Sequence, residues 1–380
     1  MFGKRVRIFR LSGFDVYVDF SWVFLAVLVT WSLATGVFPH ELTGQTSTAY
    51  WLMGAGGALG LFLSIVLHEF AHSVVARANG IRMRGITLFI FGGVAEMLDE
   101  PPSPQAEFKM AIAGPIASVL IGGACFGLAA LAQSAELTQV GVTLRYLADI
   151  NVLLAVFNMV PAFPLDGGRV LRSILWNAKG SIRRATRISS TIGSGFGLLL
   201  IALGVVSILM GYFVMGLWWI LLGSFVRTAA AQSYEQILLR QYLQGEPVHR
   251  FMNRSVISVP PDLPLDRFVE DFVYRYHYKM FPVVHDESVL GCATSSSLTE
   301  VPRERWHTLT VRDAMEPCNE ATSIHPNTDT LEALGKMMRS GRSRLLVVEN
   351  GRLVGLLSLR DVIDFFNLKV QLDEPERRAG

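Results

Sequence analysis

Residues 51–76 read WLMGAGGALGLFLSIVLHEFAHSVVA. From Trp51 to Leu67 the stretch carries no charge, and then come His68-Glu69-Phe70-Ala71-His72. An apolar segment of this length predicts a membrane-spanning helix, because about 20 residues at 1.5 Å each cross the hydrocarbon core. Ionisable groups inside such a helix are costly and are retained for function. Residues four apart share one helix face, so His68 and His72 can reach one metal ion. Glu69 stands beside them, placed to take a proton from water at that metal. Two imidazoles are too few for a catalytic zinc site, which takes three protein ligands and a water.

Residues 158–168, NMVPAFPLDGG, supply the third ligand. Pro161 and Pro164 remove backbone donors and Gly167-Gly168 permit turns, so a helix must end or unwind here. Broken backbone at membrane depth survives only where protein or a water-filled cavity surrounds it. Asp166 is thus a carboxylate that can be hydrated and can bind metal. Read alone, it fits an N-cap for a helix starting near Gly168; beside the histidines it reads as a ligand.

The rest of the chain sets the frame. It has 380 residues, 51% hydrophobic and only 17% charged, against roughly 25% charged in soluble proteins. Expected spans are Phe20–Phe38, Trp51–Ala76, Phe108–Ala132, Tyr146–Phe163, Ile192–Met210 and Phe213–Ala230. Val6–Leu11 and Val16–Asp19 read as a hairpin before the first span, and Ile81–Met97 as strands or a re-entrant hairpin. Basic residues cluster at the N-terminus (Lys4, Arg5, Arg7, Arg10), around Arg77–Lys109 and around Arg169–Arg187, with only Arg145 opposite. The positive-inside rule places the N-terminus and the C-terminal region in the cytoplasm of a multi-pass protein of the cell membrane. His68, His72 and Asp166 then fall at similar depth. No basic run with interleaved aromatics occurs, so nucleic acid is not an expected partner. Cys125, Cys292 and Cys318 form no close-spaced motif and read as reduced thiols.

The paired motifs resemble the site-2 protease family of intramembrane metalloproteases, over about Arg7 to Ala230. The match extends to Gly92-Gly93 and to Ala113-Gly114-Pro115. The resemblance implies one zinc per chain bound by His68, His72 and Asp166, with Glu69 as general base. It implies that Asn158 supports the active site near the substrate, and that the Ile81–Met97 strands hold the substrate extended. The substrate so implied is a single-pass transmembrane protein cut in or near its membrane segment, with lipid as surroundings. Ser118 departs from the pattern, since many members carry asparagine there.

After about Gln232 charges rise and α and β patterns alternate. Leu345–Glu349 followed by Gly351–Asp361 resembles a CBS domain, and Phe281–Val284 with Gly291–Ser297 resembles a looser copy. Such pairs often bind an adenine nucleotide, ATP or AMP. The resemblance puts Ser358 near phosphate and Asp361 on ribose, while Ser297 takes the aspartate position of the first copy. It also implies a homodimer through the CBS pair; docking without a ligand stays open. The expected organisation is a transmembrane metalloprotease domain at 1–232, a regulatory CBS pair at 247–368 (247–300 and 311–368) and a polar tail at 369–380. The expected fold is thus a polytopic α-helical membrane protein with small membrane-associated strands and a soluble α/β module. Competing readings are a CBS-gated channel or transporter, which would spread ionisable residues along several spans, and an inactive scaffold, which would not need Glu69.

Overall fold

The structure, a computed structural model, describes residues 5–90, 92–97 and 99–373. The chain divides into two compact units, Met1–Ile237 and Leu238–Gly380. Among the described residues six helices are long and apolar enough to cross a membrane. The first is Phe20–Glu41, built from α1 (Phe20–Ser32), a π-helical turn Leu33–Val37 and α2 (Phe38–Glu41). The others are α3 (Ser47–Ala78), α4 (Pro104–Ser134), α5 (Thr138–Asn158), α7 (Ile182–Leu209) and α8 (Phe213–Leu243), with the shorter α6 (Asp166–Lys179) between α5 and α7.

Local chemistry sets the helix starts. Asp19 accepts from the Ser21 N–H at 3.0 Å and caps α1. Ser103 accepts from the Ala106 N–H at 3.2 Å, and Pro104 stands in the first turn of α4, where its missing N–H costs nothing. The fourth span differs from the expected Tyr146–Phe163. It begins at Thr138 and stops at Asn158, because Pro161 and Pro164 cannot continue the backbone ladder. Residues 159–165 are non-helical, and α6 restarts at Asp166 itself rather than near Gly168.

Four strands join in one sheet, in the order β1 (Arg5–Leu11), β2 (Phe14–Asp19), β3 (Met83–Phe89), β4 (Gly92–Met97). Both hairpins are antiparallel, and β2 pairs with β3 in parallel, Val16 opposite Ile86. The inner face buries Val16, Val18, Ile86 and Leu88 against Val66 of α3, with Trp22, Phe62, Ile65 and Phe70 at the margin. That packing fixes α3 within one turn of its histidines. Lys4 and Phe91 lie outside the described residues.

The second unit holds one mixed sheet in the order β5 (Met280–His285), β6 (Ser288–Thr294), β10 (Arg352–Ser358), β9 (Arg344–Glu349), β8 (Ser323–Ile324), with β7 (Glu316–Pro317) on β6. Its helices are α9 (Leu265–Phe268), α10 (Tyr274–Tyr276), α11 (Ser295–Thr299), α12 (Val311–Ala314), α13 (Thr330–Ser340) and α14 (Leu359–Asp373). Each copy has its own core, one around Phe268, Phe281 and Val283 and one around Met337, Leu345 and Leu357. Asn350 and Gly351 both take positive φ, 52° and 79°, as a two-residue turn between antiparallel strands requires. Helix α14 runs through the start of the expected tail; 374–380 lie outside the described residues.

Candidate metal centre

Three side chains from two helices converge at one point. His68 Nε2 lies 3.2 Å from Asp166 Oδ2, His72 Nε2 lies 3.1 Å from the same oxygen, and the two Nε2 atoms are 3.2 Å apart. Both imidazoles are buried. Helix α3 presents them one turn apart, and α6 presents Asp166 at its first residue.

The outer ring nitrogens decide what the inner ones can do. His72 Nδ1 meets the Met110 carbonyl at 2.7 Å. A carbonyl only accepts, so this nitrogen donates, and the neutral ring presents a bare Nε2 lone pair inward. His68 Nδ1 pairs with Ser118 Oγ at 2.8 Å; when the ring donates to that hydroxyl, its Nε2 is bare as well. Two imidazole nitrogens and a carboxylate oxygen therefore face one another at about 3 Å, an arrangement that repels until a cation or proton sits between them. The donor set suits zinc. Tetrahedral bonds of about 2.0–2.1 Å imply ligand–ligand edges of roughly 3.3 Å, close to the separations here. Three ligands leave a fourth position for water or substrate.

Space is kept clear by Gly114 of α4. A Cβ there would lie 2.2 Å from His72 Nε2 and 2.6 Å from His68 Nε2. Glu69 points toward β4, where its Oε2 accepts from the Ala95 N–H at 3.0 Å, leaving Oε1 for other chemistry. This close approach also needs a glycine, since a Cβ on Gly93 would sit 2.7 Å from Glu69 Cγ.

Asn158 ends α5, and its amide donates to its own helix at Leu154 O, 3.0 Å away. That amide makes no hydrogen bond to His68, Glu69, His72 or Asp166 among the described residues. In the second unit Ser358 Oγ accepts from the Asp361 N–H at 3.1 Å, a cap for α14, while Asp361 is exposed. Ser297 shares a capping box with Thr294.

Sequence reasoning did not assign three features. Ser118 appears in the sequence only as a departure, yet it is buried and holds His68. Asn151 is buried in α5 and donates to Ser64 Oγ at 2.9 Å, one helical turn before His68. Glu107 of α4 and Arg172 of α6 form a buried ion pair. Glu107 stands one residue before the expected third span, Phe108–Ala132, and falls inside a helix only in α4; nothing local marked its partner.

Comparison with known proteins decides the family. The profile of Peptidase family M50 matches residues 56–139 and 127–201, and that of the CBS domain matches 248–304 and 311–367. Rip3 of Mycobacterium tuberculosis is 34% identical over 371 residues, 97% of this chain and 94% of its own length. The chain belongs to peptidase family M50, the site-2 protease family. Another relative of this M50 chain, Zinc metalloprotease MJ0392 of Methanocaldococcus jannaschii, is 30% identical over 360 residues, 94% of this chain and 95% of its own. The solved site-2 protease from Methanocaldococcus jannaschii is 28% identical, covers 60% of this chain and 94% of its own, and superposes with a TM-score of 0.42. The protein is thus a multi-pass membrane member of a zinc metalloprotease family, with a tandem CBS repeat.

Proposed function

We propose that this chain is an intramembrane zinc endopeptidase that hydrolyses a peptide bond in or near the transmembrane segment of a single-pass membrane protein. The observation that carries this reading is the meeting of His68 Nε2, His72 Nε2 and Asp166 Oδ2 within 3.1–3.2 Å of one another. These three residues would hold one zinc ion. When bound, zinc supplies Lewis acidity toward the attacking water and the scissile carbonyl.

The chain's own groups do the rest. Glu69 takes a proton from the attacking water at Oε1 and returns it to the leaving nitrogen. The Ala95 N–H on Oε2 holds that carboxylate against β4 and leaves Oε1 unpaired by it, which supports this role. A substrate helix must unwind before cleavage, because its carbonyls are engaged in i to i−4 bonds. Strands β3 and β4 lie beside Glu69 and would receive the unwound segment. Asn158 would turn from Leu154 toward the substrate backbone when substrate is present. The basic residues on one side of the spans orient the N-terminus and the CBS pair to the cytoplasm. The region 247–368 would then act as the regulatory domain, taking an adenine nucleotide through Ser358 and Asp361 and pairing with a second copy.

The purified full-length protein is expected to carry about one zinc per chain. Glu69→Gln should retain that zinc and lose cleavage of a reconstituted single-pass substrate. Cleavage retained in that variant would remove Glu69 from the role of base, and an absence of zinc would remove the reading as a whole.

A further inference from the structure

One face of α4 carries Glu107, Met110, Gly114 and Ser118, spaced by three, four and four residues, and all four are buried. Three of them touch the metal centre. Met110 O accepts a hydrogen bond from His72 Nδ1–H, Gly114 faces both Nε2 atoms, and Ser118 holds His68. The fourth, Glu107, reaches instead to α6, where its Oε1 accepts from Arg172 Nε. The Arg172 guanidinium lies over the ring of Phe163, 5.2 Å from its centroid. Phe163 belongs to the broken segment against which α6 begins: a Cβ on Gly168 would stand 2.4 Å from Phe163 N. Arg172 therefore ties the helix that bears Asp166 both to α4 and to the turn preceding it.

Stability alone is a poor account of this pair. A buried ion pair costs about as much in desolvation as it returns, and apolar replacements of like volume are often neutral or stabilising. Glu107 Oε2 is also buried without a hydrogen-bond partner, which adds to the cost. What a hydrogen-bonded pair provides that an apolar contact does not is a fixed register. Sliding α6 by one residue moves Asp166 by about 1.5 Å, whereas metal–ligand distances tolerate only about 0.2 Å.

We propose that the Arg172–Glu107 pair is a positioning element that sets the register of α6 on α4 and so holds Asp166 at the two imidazoles. The proposal rests on the reading of His68, His72 and Asp166 as zinc ligands.

The test uses the full-length protein in lipid nanodiscs and the double variant Glu107→Leu/Arg172→Met, which fills the space with apolar side chains. Zinc Kd is read by chelator competition well below the melting temperature, Tm is measured on the metal-free protein so that weaker zinc binding does not itself lower it, and kcat and KM are measured in parallel. The expected result is a Tm unchanged or raised, a zinc Kd raised about 10–100-fold, and a lowered kcat with little change in KM. A zinc Kd within twofold of wild type overturns the proposal, as does a loss of affinity accompanied by a lowered Tm. If the double variant does not fold, Glu107→Met/Arg172→Leu takes its place; it also replaces both partners and leaves no buried charge unpaired, and the same two results decide. Wild-type protein that binds no zinc overturns the ligand assignment itself, whereas zinc-loaded wild type with an unaffected variant overturns only the positioning role.

Discussion

Gly114 and His72 approach so closely that a single added methyl at Gly114 would stand 2.2 Å from His72 Nε2. The position where a metal would sit is thus bounded on one side by helix backbone. Gly114→Ala should therefore lower bound zinc more than tenfold, while the helix itself gains about 1 kcal/mol from the better helix former. Gly123 of the same helix, with nothing within 4 Å of its added Cβ, is the matched control. Metal content by mass spectrometry and thermal melting separate the two effects; full zinc in Gly114→Ala would refute the geometry.

Ser118 should matter through His68 alone. Ser118→Ala removes the group 2.8 Å from His68 Nδ1 and leaves a buried ring nitrogen unpaired. Outer partners of metal-bound histidines are commonly worth 10–100-fold in affinity or activity. A zinc Kd raised by about tenfold in chelator competition is the expected outcome, and an unchanged Kd would show that another group takes over.

Gly93 should affect catalysis and spare the metal. A Cβ there would meet Glu69 Cγ at 2.7 Å and Ile65 Cγ2 at 3.0 Å, with the β4 backbone behind it. Gly93→Ala must move either the strand or the base, so kcat should fall by about 10²-fold, as small misplacements of catalytic groups do. Zinc content should stay at the wild-type level. Loss of both together would place Gly93 in the fold rather than beside the base.

In the second unit Cys292 should be chemically quiet. Burial, with Glu316 nearby, pushes its thiol up to about 12. At pH 8 the thiolate fraction is then about one in ten thousand, and the thiolate is the reactive form. Iodoacetamide should label Cys292 only after denaturation, read by peptide mass spectrometry. Rapid labelling of native protein would contradict its placement between Met280 and Leu346.

Nucleotide binding by the CBS pair can be separated from helix capping. Saturating ATP or AMP at 100 times Kd should stabilise the full-length protein by about 2.7 kcal/mol. Ser358→Ala will lose about 1 kcal/mol in any case, because Ser358 Oγ caps α14. Asp361 is exposed, so Asp361→Asn should leave the ligand-free Tm alone and abolish the shift. A Tm that no adenine nucleotide moves would leave docking or dimerisation as the role of the pair.

How much of this was readable in advance depends on the range of each interaction. Spans, caps and the His68–His72 spacing depend on neighbours within a turn or two, and the apolar runs and the motif display them directly. The break after Asn158 is equally local, since Pro161 and Pro164 act on their own backbone. The fourth span nonetheless runs Thr138–Asn158 rather than over the expected Tyr146–Phe163, because apolar residues continue through the turn at 159–163 and mask where the helix stops, while Gln139, Thr143 and Arg145 mask where it starts. Ser118 could be noticed only as an unusual residue, and its meaning came from a ring 50 positions away.

The sequence by itself determined that the chain crosses the membrane repeatedly and carries paired histidines, a carboxylate at a broken helix and two CBS-like copies, because hydropathy and helical period are properties of short windows. Only the tertiary structure decided the parallel joining of β2 to β3, the anchoring of Glu69 by Ala95, and the face of α4 that meets both histidines and Arg172. Those contacts join residues far apart in sequence, 65 positions for Arg172 and Glu107, and exist only once separate helices have packed. No local window records them, since the free energy that selects one packing belongs to the assembled helices and not to any one of them.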